Sequence, residues 1–132
     1  MKLTADTNLL VRALVADDPD QSRLAIECLE KADLVAIPLQ TLCEMVWVLE
    51  RAYGVPRVTL AKAIRTLVQT HNVVTNALAV ECGLKVYEGG GDFADGVIAH
   101  EGQALGGEVF VSFDQKAVKC LKRLNVAAEL LV

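Results

Sequence analysis

Four acidic residues stand where a core element should be apolar. Asp6 ends the first apolar segment, Leu3-Thr4-Ala5-Asp6. Glu44 interrupts the apolar run Leu42-Cys43-Glu44-Met45-Val46-Trp47-Val48-Leu49. Asp95 opens a helical stretch in Asp92-Phe93-Ala94-Asp95, and Asp114 closes the segment Val109-Phe110-Val111-Ser112-Phe113. A carboxylate at the edge of a core element is costly to desolvate unless a cation meets it. Two carboxylates ~5 Å apart repel by roughly 3 kcal/mol at an effective dielectric of ~20. If the four converge, their natural guest is a hard divalent cation, because an oxygen-only donor set favours Mg²⁺ or Mn²⁺ over zinc. The chemistry would then be metal-assisted hydrolysis.

Each acid also has a plainer structural use. Asp6 and Asp114 could cap the helices that come after them. Asp92 and Asp95 sit three apart at a helix start, where the dipole favours both; the reading here is Asp92 as the cap, with Asp95 free for the site. Glu44 lies in what reads as a largely buried helix, within reach of Gln40 or Thr41, with Arg51 as a distant ion-pair partner. Ser112, two residues before Asp114, points to the same side of its strand and could add a hydroxyl.

The elements carrying these residues alternate. Residues 2–6, 34–37, 72–74, 108–113 and 126–131 read as short strands. Helical spacing covers the segments from Thr7 or Asn8 to Val15, from Pro19 to about Ala32, from Pro38 to about Tyr53, and Arg57–Gln69. It returns over Asn76–Tyr87, Phe93–Leu105 and Gln115–Leu124. Short apolar strands separated by helices predict a parallel sheet covered on both faces. In such sheets the functional crevice lies beyond the carboxyl ends of the strands, which is where Asp6 and Asp114 fall.

Composition bounds the function. The chain has 132 residues, 53% hydrophobic and 23% charged, so one domain over 1–132 with a packed core is expected. No apolar run approaches the ~20 residues of a membrane span, and no export signal precedes the first strand, so a cytoplasmic protein is expected. Cys28, Cys43, Cys82 and Cys120 form no C-x-x-C pair and read as reduced, buried thiols. His71 and His100 are not at zinc-ligand spacing from them. The net charge of −4 argues against a general nucleic-acid binder but not against a nuclease whose acids bind metal. One cationic stripe exists: Lys116, Lys119, Lys122 and Arg123 lie opposite Ala117, Val118, Leu121 and Leu124 on the last helix. Lys116, Lys119 and Arg12 are the candidates for contacting an RNA backbone. His100 lies about 140° round its helix from Asp95 and is a poor general base.

These blocks together resemble the PIN-domain ribonucleases, most closely the VapC-type toxins of toxin–antitoxin systems, over essentially the whole chain. The carriers are Leu3–Leu10, Leu42–Leu49, Asp92–Ala99 and Val111–Lys116. The resemblance implies a three-layer α/β/α fold with about seven helices and a five-stranded parallel sheet of order 3-2-1-4-5. It maps the metal-binding acids onto Asp6, Glu44, Asp95 and Asp114, with Thr7, Asn8 and Ser112 as polar companions and Asp92 in support. It implies a Mg²⁺- or Mn²⁺-dependent endoribonuclease leaving a 5′-phosphate and a 3′-hydroxyl. It further implies a homodimer silenced by a VapB-like antitoxin whose basic side chain enters the acidic pocket. Gly96 departs from the family pattern, which often has Ala there. Two other readings compete: a PIN-like binding module without catalysis, and a receiver-type Mg²⁺-binding signalling domain. The latter lacks an aspartate after the strand at 72–74 and a lysine after the last strand.

Overall fold

The computed structural model describes residues 1–132, which fold as two compact units, Met1–Asn76 and Ala77–Val132. The first unit runs β1 (Lys2–Thr4), α1 (Thr7–Leu14), α2 (Pro19–Lys31), β2 (Leu34–Ala36), α3 (Leu39–Arg51), α4 (Arg57–Val68) and β3 (Val73–Val74). Its strands are parallel in the order β1-β2-β3, with Leu3 opposite Val35 and Val35 opposite Val73. The ladder extends past β1, where Ala5 N–H donates to the Ala36 carbonyl at 2.9 Å.

Local chemistry sets the boundaries. Pro19 at the first position of α2 and the Asp18 carboxylate on Gln21 N–H start that helix. Its other end is closed from a distance: the buried Asn72 amide donates to the carbonyls of Leu29 and Ala32, both at 2.9 Å. That side chain satisfies carbonyls a helix terminus leaves unpaired and ties α2 to the start of β3. Leu10, Val35, Leu42, Met45, Leu49, Leu60 and Ile64 fill the core of the unit.

The second unit runs α5 (Ala77–Glu88), α6 (Phe93–Ala104), β4 (Phe110–Ser112), α7 (Gln115–Arg123) and β5 (Ala128–Leu130). β4 and β5 are parallel, with Val111 opposite Glu129, and α7 is the crossover between them. The expected order 3-2-1-4-5 is thus present as two pieces, β3-β2-β1 and β4-β5, and the seven expected helices are all formed. Val86, Ala99, Cys120 and Leu121 form a buried cluster against which Phe110, Val126 and Ala128 pack. Only one face of this strand pair is covered. Val109, Val111 and Phe113, alternating with Phe110 and Ser112, are exposed, against the expectation of a sheet buried on both faces.

The departure at Gly96 has a steric cause. A Cβ there would lie 2.4 Å from the Cys82 carbonyl oxygen and 2.7 Å from Gly83 Cα. Helices α5 and α6 therefore approach backbone to backbone at Gly83 and Gly96, which outweighs the helix propensity lost at Gly96. Overpacking costs typically ~1–3 kcal/mol, and backbone atoms have little room to yield. Gly96→Ala is expected to destabilise the protein by about 1 kcal/mol net of its propensity gain, seen as a lower urea midpoint at unchanged slope.

Candidate active site

In the first unit the site begins where β1 gives way to α1. Asp6 holds extended backbone angles, and its Oδ1 accepts the Leu9 N–H at 2.9 Å, so it is the N-cap of α1. Its Oδ2 makes no hydrogen bond within the protein. Thr7, the first helical residue, donates its hydroxyl to Glu44 Oε2 at 2.6 Å. Gln40 Nε2 donates to the other oxygen, Oε1, at 3.4 Å. One residue along, the buried Thr41 hydroxyl donates to the Ala5 carbonyl at 3.2 Å. That bond fixes the start of α3 to the residue just before Asp6. The residues around Asp6 and Glu44 are therefore linked through two separate contacts.

Glu44 is exposed, which corrects the expectation of a largely buried helix. The core face of α3 is Thr41, Leu42, Met45, Val46 and Leu49. Gln40, Glu44, Trp47 and Arg51 share the opposite, exposed side. Arg51 does not reach for Glu44; its guanidinium lies 5.6 Å from the centre of the Trp47 ring. Thr41 is the residue that sequence reasoning misplaces. Its hydroxyl turns to Ala5, not Glu44, and its place on the apolar face is the available signal. Asn8 is exposed beside Asp6 and makes no hydrogen bond through its side chain. Arg12 is not a free cation: its Nη1 donates to Asp17 Oδ1 at 2.9 Å, while Tyr53 donates to Asp17 Oδ2 at 3.1 Å. Against some desolvation, these two donors hold the Asp17 carboxyl below its ordinary value.

In the second unit the same device recurs. Asp114 comes just after β4 and caps α7, its Oδ1 accepting the N–H groups of Lys116 and Ala117 at 3.0 and 3.1 Å. Oδ2 is left without a protein partner. Ser112 Oγ accepts the Asp114 N–H at 2.9 Å and so steadies the turn. Asp92 occupies the N-cap position of α6, but its carboxylate makes no capping bond, so it does not act as the expected cap. Asp95, in the first turn of α6, is half-buried. Desolvation, and then the neighbouring charges of Asp92 and Asp114, raise its pKa above the ordinary carboxylate value.

The residues thus gather as Asp6, Thr7 and Glu44 in one unit and Asp92, Asp95 and Asp114 in the other. As the side chains stand, no three His, Cys, Asp or Glu residues are disposed to hold a metal ion. The donor chemistry nevertheless fits one. In each unit the candidate donors are oxygens and a capping aspartate keeps Oδ2 without a protein partner; in the second unit Asp95 lies in a negative field that a cation would relieve. Cys82 Sγ lies 3.5 Å from His100 Nδ1, so a thiol and an imidazole do meet in space despite their spacing in sequence. None of the four cysteines is in a disulfide, and only Cys120 is buried.

Parallel strands joined by crossover helices, with carboxylates at the strand ends, make an α/β domain whose acids lie where such folds bind ligands. The PIN domain family matches residues 4–123, and the chain belongs to that family. PIN domains are typically nucleases, commonly metal-dependent ribonucleases, and generally bind a divalent metal. No curated protein matches the chain. No helix is long and apolar enough to cross a membrane.

Two stability predictions separate capping from chemistry. Asn caps as well as Asp, so Asp6→Asn and Asp114→Asn should leave the melting temperature nearly unchanged, whereas either Ala variant should lose about 1 kcal/mol. Asp95 binds its proton more tightly in the folded than in the unfolded chain. Stability therefore falls as pH rises from the ordinary carboxylate range through the raised value. Asp95→Asn is expected to melt higher than the parent at neutral pH, a gain that vanishes in acid where both states carry the proton.

Proposed function

We propose that this PIN domain is a Mg²⁺- or Mn²⁺-dependent endoribonuclease in which Asp6, Glu44, Asp95 and Asp114 serve one reaction, the two units acting as a single domain over 1–132. The observation that carries this reading is the repeated cap. At the end of β1 and again at the end of β4, an aspartate spends one oxygen on a helix N-terminus and keeps the other free. The family match, running across both units, supports assigning all four acids to one function.

In this reading Asp6 and Asp95 are the principal metal ligands, and Glu44 and Asp114 complete the set directly or through water. A bound divalent ion supplies an activated water and neutralises charge on the scissile phosphate. The chain's own residues do the positioning. Thr7 and Gln40 hold Glu44 through both of its oxygens, and Ser112 holds the Asp114 turn. Lys116 and Lys119, exposed and without ion-pair partners, take backbone phosphates. Arg12 would have to leave Asp17 to join them.

The biological role we infer is that of a cytoplasmic VapC-type toxin, working as a homodimer and restrained by a cognate VapB-like antitoxin. This rests on the sequence resemblance. A groove of about 670 Å³ in the first unit, lined by Leu14, Ile26, Leu29, Ala63 and Leu67, is apolar surface available to such a partner.

The test is cleavage of a structured RNA with added Mn²⁺ or Mg²⁺. Asp6→Asn, Glu44→Gln, Asp95→Asn and Asp114→Asn should each lower the rate by about 100-fold or more, and the double variant Asp6→Asn/Asp114→Asn should be little worse than either single. Cleavage that persists in EDTA, or losses that multiply, would discard a shared metal site.

A further inference from the structure

We propose that Phe113 is a base-stacking residue, its ring taking the face of the nucleobase next to the phosphate that Asp114 serves. The proposal deepens the ribonuclease reading above and rests on it.

Phe113 is 79% exposed, an unusual state for an aromatic side chain in a chain whose other two phenylalanines are buried or half-buried. It sits between Ser112, which steadies the turn, and Asp114, which caps α7. Hydrogen bonds on both sides therefore hold the residue that carries the ring: the Ser112 carbonyl accepts the Leu131 N–H, and Asp114 N–H donates to the side-chain Oγ of Ser112. Val111, on the same side of β4 and 51% exposed, extends an apolar floor beside the ring.

The cations of α7 point to nucleic acid as the occupant. Lys116 and Lys119 lie three apart on that helix, exposed and unpaired, directly after Asp114. Recognition of unpaired nucleic acid needs this pairing of roles: cations for the phosphates and an aromatic face for a base. A base within a duplex hides both faces in its own stack, so the ring can serve only a base that is unpaired.

Because Phe113 is exposed, its truncation removes no core packing, and the variants should melt with the parent. The experiment is fluorescence anisotropy of a short labelled single-stranded RNA in Ca²⁺, with the wild type and Phe113→Ala, Phe113→Leu and Phe113→Trp. Loss of one stacked base should weaken binding about tenfold in the Ala and Leu variants, with Trp restoring it, at an unchanged dependence on salt. Binding to a duplex of the same sequence should not differ among the four proteins. Wild-type affinity in Phe113→Ala, Leu restoring binding as fully as Trp, or no binding by the wild type would overturn the assignment. Metal-dependent cleavage by the wild type is measured separately. If it is absent while the Ala, Leu and Trp order holds, the ribonuclease reading fails and the stacking role stands. If cleavage is present and the Ala variant binds normally, the stacking role alone is lost.

Discussion

The structure depends on one local interaction made twice: an aspartate carboxylate accepting the first N–H groups of the helix that succeeds a parallel strand. A βα turn leaves unsatisfied donors at the helix start, and a side-chain oxygen there is the simplest remedy. Asp6 supplies it for α1 and Asp114 for α7. Each bond also fixes a charged group at the carboxyl end of a strand, without further machinery. A carboxylate has two oxygens, and the cap uses one. Folding thus restricts a side chain that would otherwise sample several rotamers, and the second oxygen is delivered to a defined place.

The other two acids are held by different means. Glu44 has no cap to anchor it and sits on the exposed side of a helix whose opposite face is core. Its orientation comes from the Thr7 hydroxyl on one oxygen and Gln40 on the other. Thr7 belongs to the helix that Asp6 caps, so the position of Glu44 is coupled to that cap. Asp95 is placed by packing. Gly96, next to it, lets α6 lie against the backbone of α5, and a side chain there would push the helix away. The acid is then half-buried beside two like charges, an arrangement that costs stability.

Much of this was legible in the chain. Short apolar runs and helical spacings placed all five strands and seven helices, because buried strands and amphipathic helices carry these patterns openly. The capping uses of Asp6 and Asp114 come from residue type at a strand–helix junction. The misreadings share a cause: each turned on a partner distant in sequence or on which side of an element faced the core. The apolar run around Glu44 looked buried on all sides because Trp47 counts as apolar, yet Trp47 is exposed and stacked with Arg51. Asp92 has the residue type of a cap but not the bond. Arg12 looked free because Asp17, which it pairs with, is oriented by Tyr53 from a distant part of the chain. Gly96 stood only as a departure from the family pattern because nothing in its own helix shows the carbonyl of Cys82 beside it.

A protein of net charge −4 gains nothing from long-range attraction to a polyanion, so in the ribonuclease reading its hold on RNA would have to be local. The strand–helix turn of the second unit has the means for this. Within a few residues it carries an exposed ring at Phe113, a fixed carboxylate at Asp114, and unpaired cations at Lys116 and Lys119. Stacking is insensitive to charge, and the lysines act within a Debye length of the phosphate they meet. In that reading the carboxylates would repel a phosphate until they held a divalent ion, and the ion would then attract it. Binding of metal and binding of substrate would then be coupled by charge alone, and an RNA held only by weak, local contacts would be positioned for hydrolysis chiefly where the ion was already in place.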